Sequence, residues 1–208
     1  YRVSWGAQKA QGAQWEKVQK EYNARLENML RDLQTNPWIT PAAGFGHWLA
    51  NSEDNTILVY DPSQSEEVIA RFPLPRQEDG DQLCLADYLP QRSSGTKAII
   101  SLQVVTVGKK ASEIVNNYFA KGDYAEGYFA HGLAVQFAEA TAEYVHSLIR
   151  QELHLKKNEG RRYSWGYEPI PDLSQHEILF TLIPAREKLA MQLTSAGQLI
   201  PEHSTSAL

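Results

Sequence analysis

The sequence holds a single cysteine, Cys84, so it can form no internal disulfide, and no zinc or iron-sulfur centre can be built on several cysteines of one chain. A reducing compartment, the cytoplasm, is the expectation. No stretch reaches the roughly 18 consecutive apolar residues of a membrane span; the longest candidate is the short run from Ala98 to Val107. Lysine and arginine total 20 against 25 acidic residues, a formal charge of -5, and no basic block is present to follow a phosphate backbone. That argues against a nucleic-acid partner. There is no phosphate loop, dinucleotide glycine fingerprint, nucleophile elbow or HExxH pair, and no repeat or low-complexity tract. The six histidines are scattered, none paired at metal-ligand spacing along a helix, so no metal ligands are assigned. No signal peptide is visible. Tyr1 to Gly6 reads as the end of an apolar element and Ser206 to Leu208 as the start of a strand, so a piece of a longer chain is expected.

What remains is an ordinary globular composition, 42% apolar and 22% charged, over 208 residues, enough to bury a core unaided. From Trp15 to Leu33 apolar residues recur every three or four positions, which predicts an amphipathic helix ended by Asn36-Pro37. Phe45 to Ala50 and Ile57 to Tyr60 predict a hairpin, and Val68 to Phe72 a third strand closed by prolines. Ala98 to Val107 suits a central strand with Ile100, Leu102 and Val104 on one face. A short helix around Ile114 to Phe119 breaks near Gly122-Asp123. A long one then runs from Phe129 to Leu153, with Phe129, Leu133, Phe137, Ala140, Tyr144 and Leu148 as its apolar set. A loop from Gly160 to Asp172, a short helix around Ile178 to Leu182 and an extended piece from Leu189 follow. Strands and helices without regular alternation predict one compact α+β domain over residues 1–208: a twisted antiparallel sheet with packed helices. Cys84, between Leu83 and Leu85, is expected to be a small core residue without a reactive thiol.

Two features rise above this background. Glu139, Glu143, His146 and Arg150 follow one another at intervals of four, three and four, forming one polar stripe on the long helix. Spacing alone reads it as a solvated face laced by charge pairs. Arg161-Arg162-Tyr163-Ser164-Trp165-Gly166-Tyr167-Glu168-Pro169-Ile170-Pro171 is a stiff loop whose guanidinium groups, backbone and rings suit a small anionic, partly aromatic ligand. Its aromatics equally suit anchoring a surface connection to the core.

The pattern Arg162-x-x-x-Gly166-Tyr167 before a proline cluster resembles the signature loop of the activation domain of cobalamin-dependent methionine synthase. Further segments agree in order: Arg71 to Gln77, Leu83 to Tyr88, Gln103 to Gly108, Ala138 to His146 and Pro201 to Thr205. The resemblance covers nearly the whole chain. It implies a module that binds S-adenosylmethionine and presents the methyl donor to inactive cob(II)alamin carried by another domain of the same enzyme, while flavodoxin or a flavin reductase supplies an electron. It implies no catalytic residue in the module, because the reduced cobalt is the nucleophile. Arg162 would pair with the ligand carboxylate, the backbone from Ser164 to Gly166 would meet the amino acid portion, Tyr167 would help hold the nucleoside, and Glu139 would accept hydrogen bonds. The family loop continues Gly-Tyr-Pro-Ala-Cys-Pro, whereas Glu168 and Ile170 stand here where a proline and a cysteine are expected. An acidic contact upstream and a tyrosine downstream, both carried by the family, lie outside this sequence. Two alternatives stay open: a docking module of the same fold that has lost ligand binding, and an autonomous methyltransferase.

Overall fold

The computed structural model of the protein describes residues 2–157 and 159–208. Helix α1 spans Gly12–Thr35 and stops where predicted, its Asn36 N–H turned back to the carbonyl of Asp32 ahead of Pro37. The hairpin is β1 (Ala42–Glu53) and β2 (Thr56–Tyr60), joined by two residues of which Asp54 takes the left-handed conformation that such a turn demands. Strands β3 (Val68–Pro73) and β4 (Ala98–Thr106) follow the predicted segments closely. With β7 (Ser204–Ala207) they complete a five-stranded antiparallel sheet in the order β3-β2-β1-β4-β7. The α+β expectation is therefore met.

Alternation along β4 decides what packs where. Ile100, Leu102 and Val104 enter one core, with Ile57, Val59 and Phe72 of the neighbouring strands and Trp165, Ile170, Leu179 and Phe180 from later in the chain. Val105 points the other way, onto helix α3 (Tyr124–Glu152). The sheet is thus covered on both faces. A third cluster joins α3 to α2 (Lys109–Ala120) and α1 through Trp38, Ile39, Val115 and Leu133. Helix α3 starts at Asp123, whose side chain accepts the backbone N–H of Glu126, just after Gly122 at a positive φ.

The apolar face assigned to the long helix holds at Leu133, which is buried, and at Phe137, which packs against the same cluster, but is corrected further along. Ala140 and Tyr144 are exposed, Tyr144 to 63%, and the buried line is Ala134, Ala138, Ala142, Val145 and Ile149. Small side chains win because the helix lies close against β4, near enough for the Gln103 amide to donate to the carbonyl of Ala142 at 3.4 Å. Three other expectations shift. The piece from Leu189 follows a short helix α5 (Ala185–Leu189), and only Gln192–Leu193 (β5) pairs, with Leu199–Ile200 (β6). Residues 2–6 form turns around a buried Trp5, and Tyr1 lies outside the described residues. Helix α4 covers His176–Leu182, starting two residues earlier than expected.

Cys84 is 2% exposed, as its setting predicted. It also begins a short helical turn that ties two motif segments together. Arg76 holds the Asp87 carboxylate with two hydrogen bonds of 2.7 Å, while the Cys84 N–H donates to the same group at 2.9 Å. These contacts hold Asp87 at about 2, below its ordinary 3.8. A carboxyl lowered in the folded state contributes stability that is present above its unfolded pKa and is lost as the pH falls through the folded one. Melting curves of the parent and Arg76→Gln are therefore expected to differ most above pH 4 and to converge near pH 2. A difference independent of pH would show that Arg76 stabilises through its contacts to Asn55 and Gln82 and not through the charge of Asp87.

Candidate functional site

A cleft of about 710 Å³ opens where α2, α3, the 164–167 loop and the segment leading into β7 meet. Its lining includes Ser112 and Asn116 of α2, Glu139 of α3, Trp165 and Tyr167 of the loop, and Ser204 and Ser206 of β7. The loop is positioned by its one large buried ring. Trp165 packs 5.7 Å from Phe72 and donates its indole N–H to the Gln175 side chain at 3.2 Å. Fully burying a ring of that size stabilises by about 1.5–3 kcal/mol. Gly166, at φ +87°, then turns the chain so that its N–H meets the carbonyl of Ile170 at 2.8 Å, leaving the Tyr167 side chain 67% exposed at the cleft.

The inner wall is set by His176. Its Nδ1 lies 2.6 Å from the Gly197 carbonyl, which only accepts, so that nitrogen carries the proton. Nε2 is left to accept from the Ser206 hydroxyl at 2.7 Å. Burial pushes the His176 pKa down, against the opposing pull of the Gly197 carbonyl. The uncharged ring thereby holds Ser206 in place.

The polar stripe of α3 divides according to partner. Arg162 reaches from the loop to Glu143 at 2.8 Å and Glu139 at 3.3 Å, and only 15% of its side chain is exposed. Its Nη2 makes both contacts, while Nη1 is buried with no hydrogen-bond partner. Arg150 instead donates to the carbonyls of Lys156 and Gly160, tying down the loop that follows the helix. Burial lowers the His146 pKa; Glu143 opposes that shift, and Arg150 and Arg162 add to it.

Of the residues singled out in the sequence, the structure puts Glu139 and Tyr167 on the cleft and joins Arg162 to Glu139 directly. Arg162 borders a smaller recess of about 160 Å³ beside it, with His146 and Arg150. Ser164 lies in a bridge to Ala207 of β7, and neither it nor Gly166 is among the cleft-lining residues. The two departures from the family loop also face away: Ile170 is a core residue 1% exposed, and Glu168 borders a separate hollow with Tyr163 and Leu85.

Two contributors are not visible in the sequence. Trp165 stands out there only as part of an aromatic loop, and His176 carries no local signal at all. A further pair, His131 and His203, is brought to 3.0 Å from positions 72 residues apart. Burial and the neighbouring His131 push the His203 pKa down, with Glu202 opposing.

Fold and cleft together define an α+β domain with a sheet covered on both faces and a ligand-sized opening beside its long helix. Residues 7–208 match the family model described as the activation domain of vitamin B12 dependent methionine synthase, and the chain belongs to that family. Among relatives, methionine synthase of Mycobacterium leprae is 33% identical and that of Mycobacterium tuberculosis 32%, each over 91% of this chain. The chain spans 18% of the length of either relative. Its fold is that of the crystal structure of the MetH reactivation domain bound to AdoHcy, with a TM-score of 0.83, 24% identity and coverage of 95% of this chain and 66% of the other. No helix among the described residues is long and apolar enough to cross a membrane.

Proposed function

We propose that residues 1–208 act as the reactivation module of a longer cobalamin-dependent methionine synthase, binding S-adenosylmethionine in the cleft. The observation that carries the reading is the Arg162 guanidinium, fixed between Glu139 and Glu143 with a buried, unsatisfied Nη1, beside a cleft that Glu139 borders. An orphaned buried donor is costly, and a ligand carboxylate is the acceptor it lacks. The residues also fit the rest of an adenosylated amino acid. Glu139 faces the ligand ammonium and sulfonium charge, the exposed Tyr167 ring offers a stacking face to the nucleoside, and Trp165, carried to the cleft by the backbone from Ser164 to Gly166, flanks the amino acid portion. The similar MetH reactivation domain is bound to AdoHcy, which supports a ligand of this class.

Bound S-adenosylmethionine supplies an electrophilic methyl group. This chain's residues bind and orient it and exclude water, without a nucleophile of their own. The acceptor is cobalamin on another domain, and flavodoxin or a flavin reductase is the proposed electron donor. Calorimetric titration with S-adenosylmethionine and S-adenosylhomocysteine is expected to give saturable one-to-one binding of both. One observation favours the docking-module alternative: Arg162 already has two carboxylate partners. A folded protein that binds neither compound would end the ligand reading and leave the docking module as the reading to pursue.

A further inference from the structure

His131, His203 and Glu202 take no part in the ligand reading, yet they converge. His203 Nε2 lies 3.0 Å from His131 Nδ1, and one Glu202 carboxylate oxygen lies with both histidines' ligand atoms inside a mutual distance of 4.8 Å. Among the described residues no other three His, Cys, Asp or Glu side chains meet in this way. We infer that these three side chains bind a divalent transition ion of the zinc class at the edge of the cleft.

The geometry suits such an ion. Two nitrogens 3.0 Å apart, each about 2.0–2.1 Å from a shared metal, subtend roughly 94° at it, and opening them to about 3.4 Å reaches the tetrahedral angle. That adjustment is a few tenths of an ångström. The alternative, a hydrogen bond between the two imidazoles, uses one proton and leaves the nearby Glu202 carboxylate without a role.

The outer contacts also match what metal-binding histidines require. Ser112 Oγ sits 3.1 Å from the far nitrogen of His203, Nδ1, and by accepting its proton leaves the lone pair on Nε2. His203 is 2% exposed, and its carbonyl accepts the N–H of Val107 at 3.2 Å, so the ring is held from the backbone as well. Three elements therefore contribute: α2 through Ser112, α3 through His131, and the segment before β7 through Glu202 and His203. Two imidazoles and a carboxylate favour zinc, cobalt or nickel; without a thiolate the set does not select copper(I), and two nitrogens do not suit calcium or magnesium. Glu202 is exposed, which leaves at least one coordination position for water.

The site borders the cleft, since Ser112 and Glu202 line both, but it does not depend on what the cleft binds. Chelator-treated protein is titrated with zinc by calorimetry and with cobalt by visible absorption, each near pH 7.5. One equivalent of zinc is expected to bind, and cobalt is expected to develop the bands of a four- or five-coordinate nitrogen-oxygen site. His131→Ala and His203→Gln are each expected to weaken zinc binding roughly tenfold or more. The exposed His154→Gln is expected to bind as the parent does. Because His203 is buried and its variant can unfold, Glu202→Ala serves as the surface probe: it should weaken zinc binding while leaving the zinc-free melting temperature unchanged. Zinc affinity in the His131→Ala, Glu202→Ala double variant equal to the parent's would overturn the inference. So would a parent that takes up no zinc.

Discussion

Replacing Arg162 with alanine is expected to weaken S-adenosylmethionine binding roughly ten- to 150-fold. The change removes a charge-assisted contact worth about 1.5–3 kcal/mol, and each 1.4 kcal/mol is a factor of ten in affinity. The local setting enlarges the effect, because Glu139 and Glu143 would then face the ligand carboxylate without the cation now between them. Arg162→Lys is the informative companion. It keeps the charge but not the planar fork that reaches two carboxylates while presenting Nη1, so it should recover only part of the loss. Arg161 is exposed and makes the control, with an expected cost within about 0.5 kcal/mol. The readout is calorimetry on all three variants, with melts to show that each is folded. If Arg162→Ala bound as tightly as the parent, the guanidinium would have no place in the ligand site.

Gly197→Ala is expected to produce a large loss of stability, about 2–5 kcal/mol. Gly197 sits at φ +77°, and a Cβ there would lie 2.4 Å from the carbonyl oxygen of Leu173 and 2.7 Å from its carbon. Left-handed geometry costs a residue with a side chain about 1–2 kcal/mol, and forced overpacking adds about 1–3 kcal/mol. Backbone is the obstacle, so no side chain can swing away to relieve the contact. For a chain of this size the melting temperature should fall by about 5–15 °C. Gly80→Ala separates the two causes: its φ is +69° but nothing lies within 4 Å of the added carbon, so it should show the conformational cost alone. Equal losses in the two variants would refute the crowding argument. The damage should also reach the cleft, because the Gly197 carbonyl fixes the His176 ring that holds Ser206.

Strands and helix ends are legible in the sequence because their signals are local. Proline after Asn36, alternation from Ala98 onward and the Gly122-Asp123 break each act within a few residues, and each marks a boundary in the structure. The face of α3 misleads for an equally physical reason. A periodicity argument weights bulky apolar side chains, so it selects Tyr144 over Ala142, whereas a helix pressed against a strand selects the smallest residues for its contact line. The motif resemblance points to Glu139 and Arg162, and the fold places them in contact. Nothing in one sequence could join His131 to His203 or His176 to Ser206, since both pairs are made by the return of β7 alongside β4.

That return has a bearing on how the protein is made. Ser204 pairs with Thr106 yet follows it by 98 residues. A chain emerging from the ribosome therefore carries β4, already zipped to β1 on one side, for many seconds with its other side unclaimed, at synthesis rates of about 5–20 residues per second. The exposed ladder lies along Gln103 to Thr106, where side chains destined for both faces of the sheet alternate. Nascent chains stalled before residue 204 should thus be sticky at one defined strip, and that strip closes with β7, three of whose residues, Ser204, Thr205 and Ser206, finish the wall of the cleft.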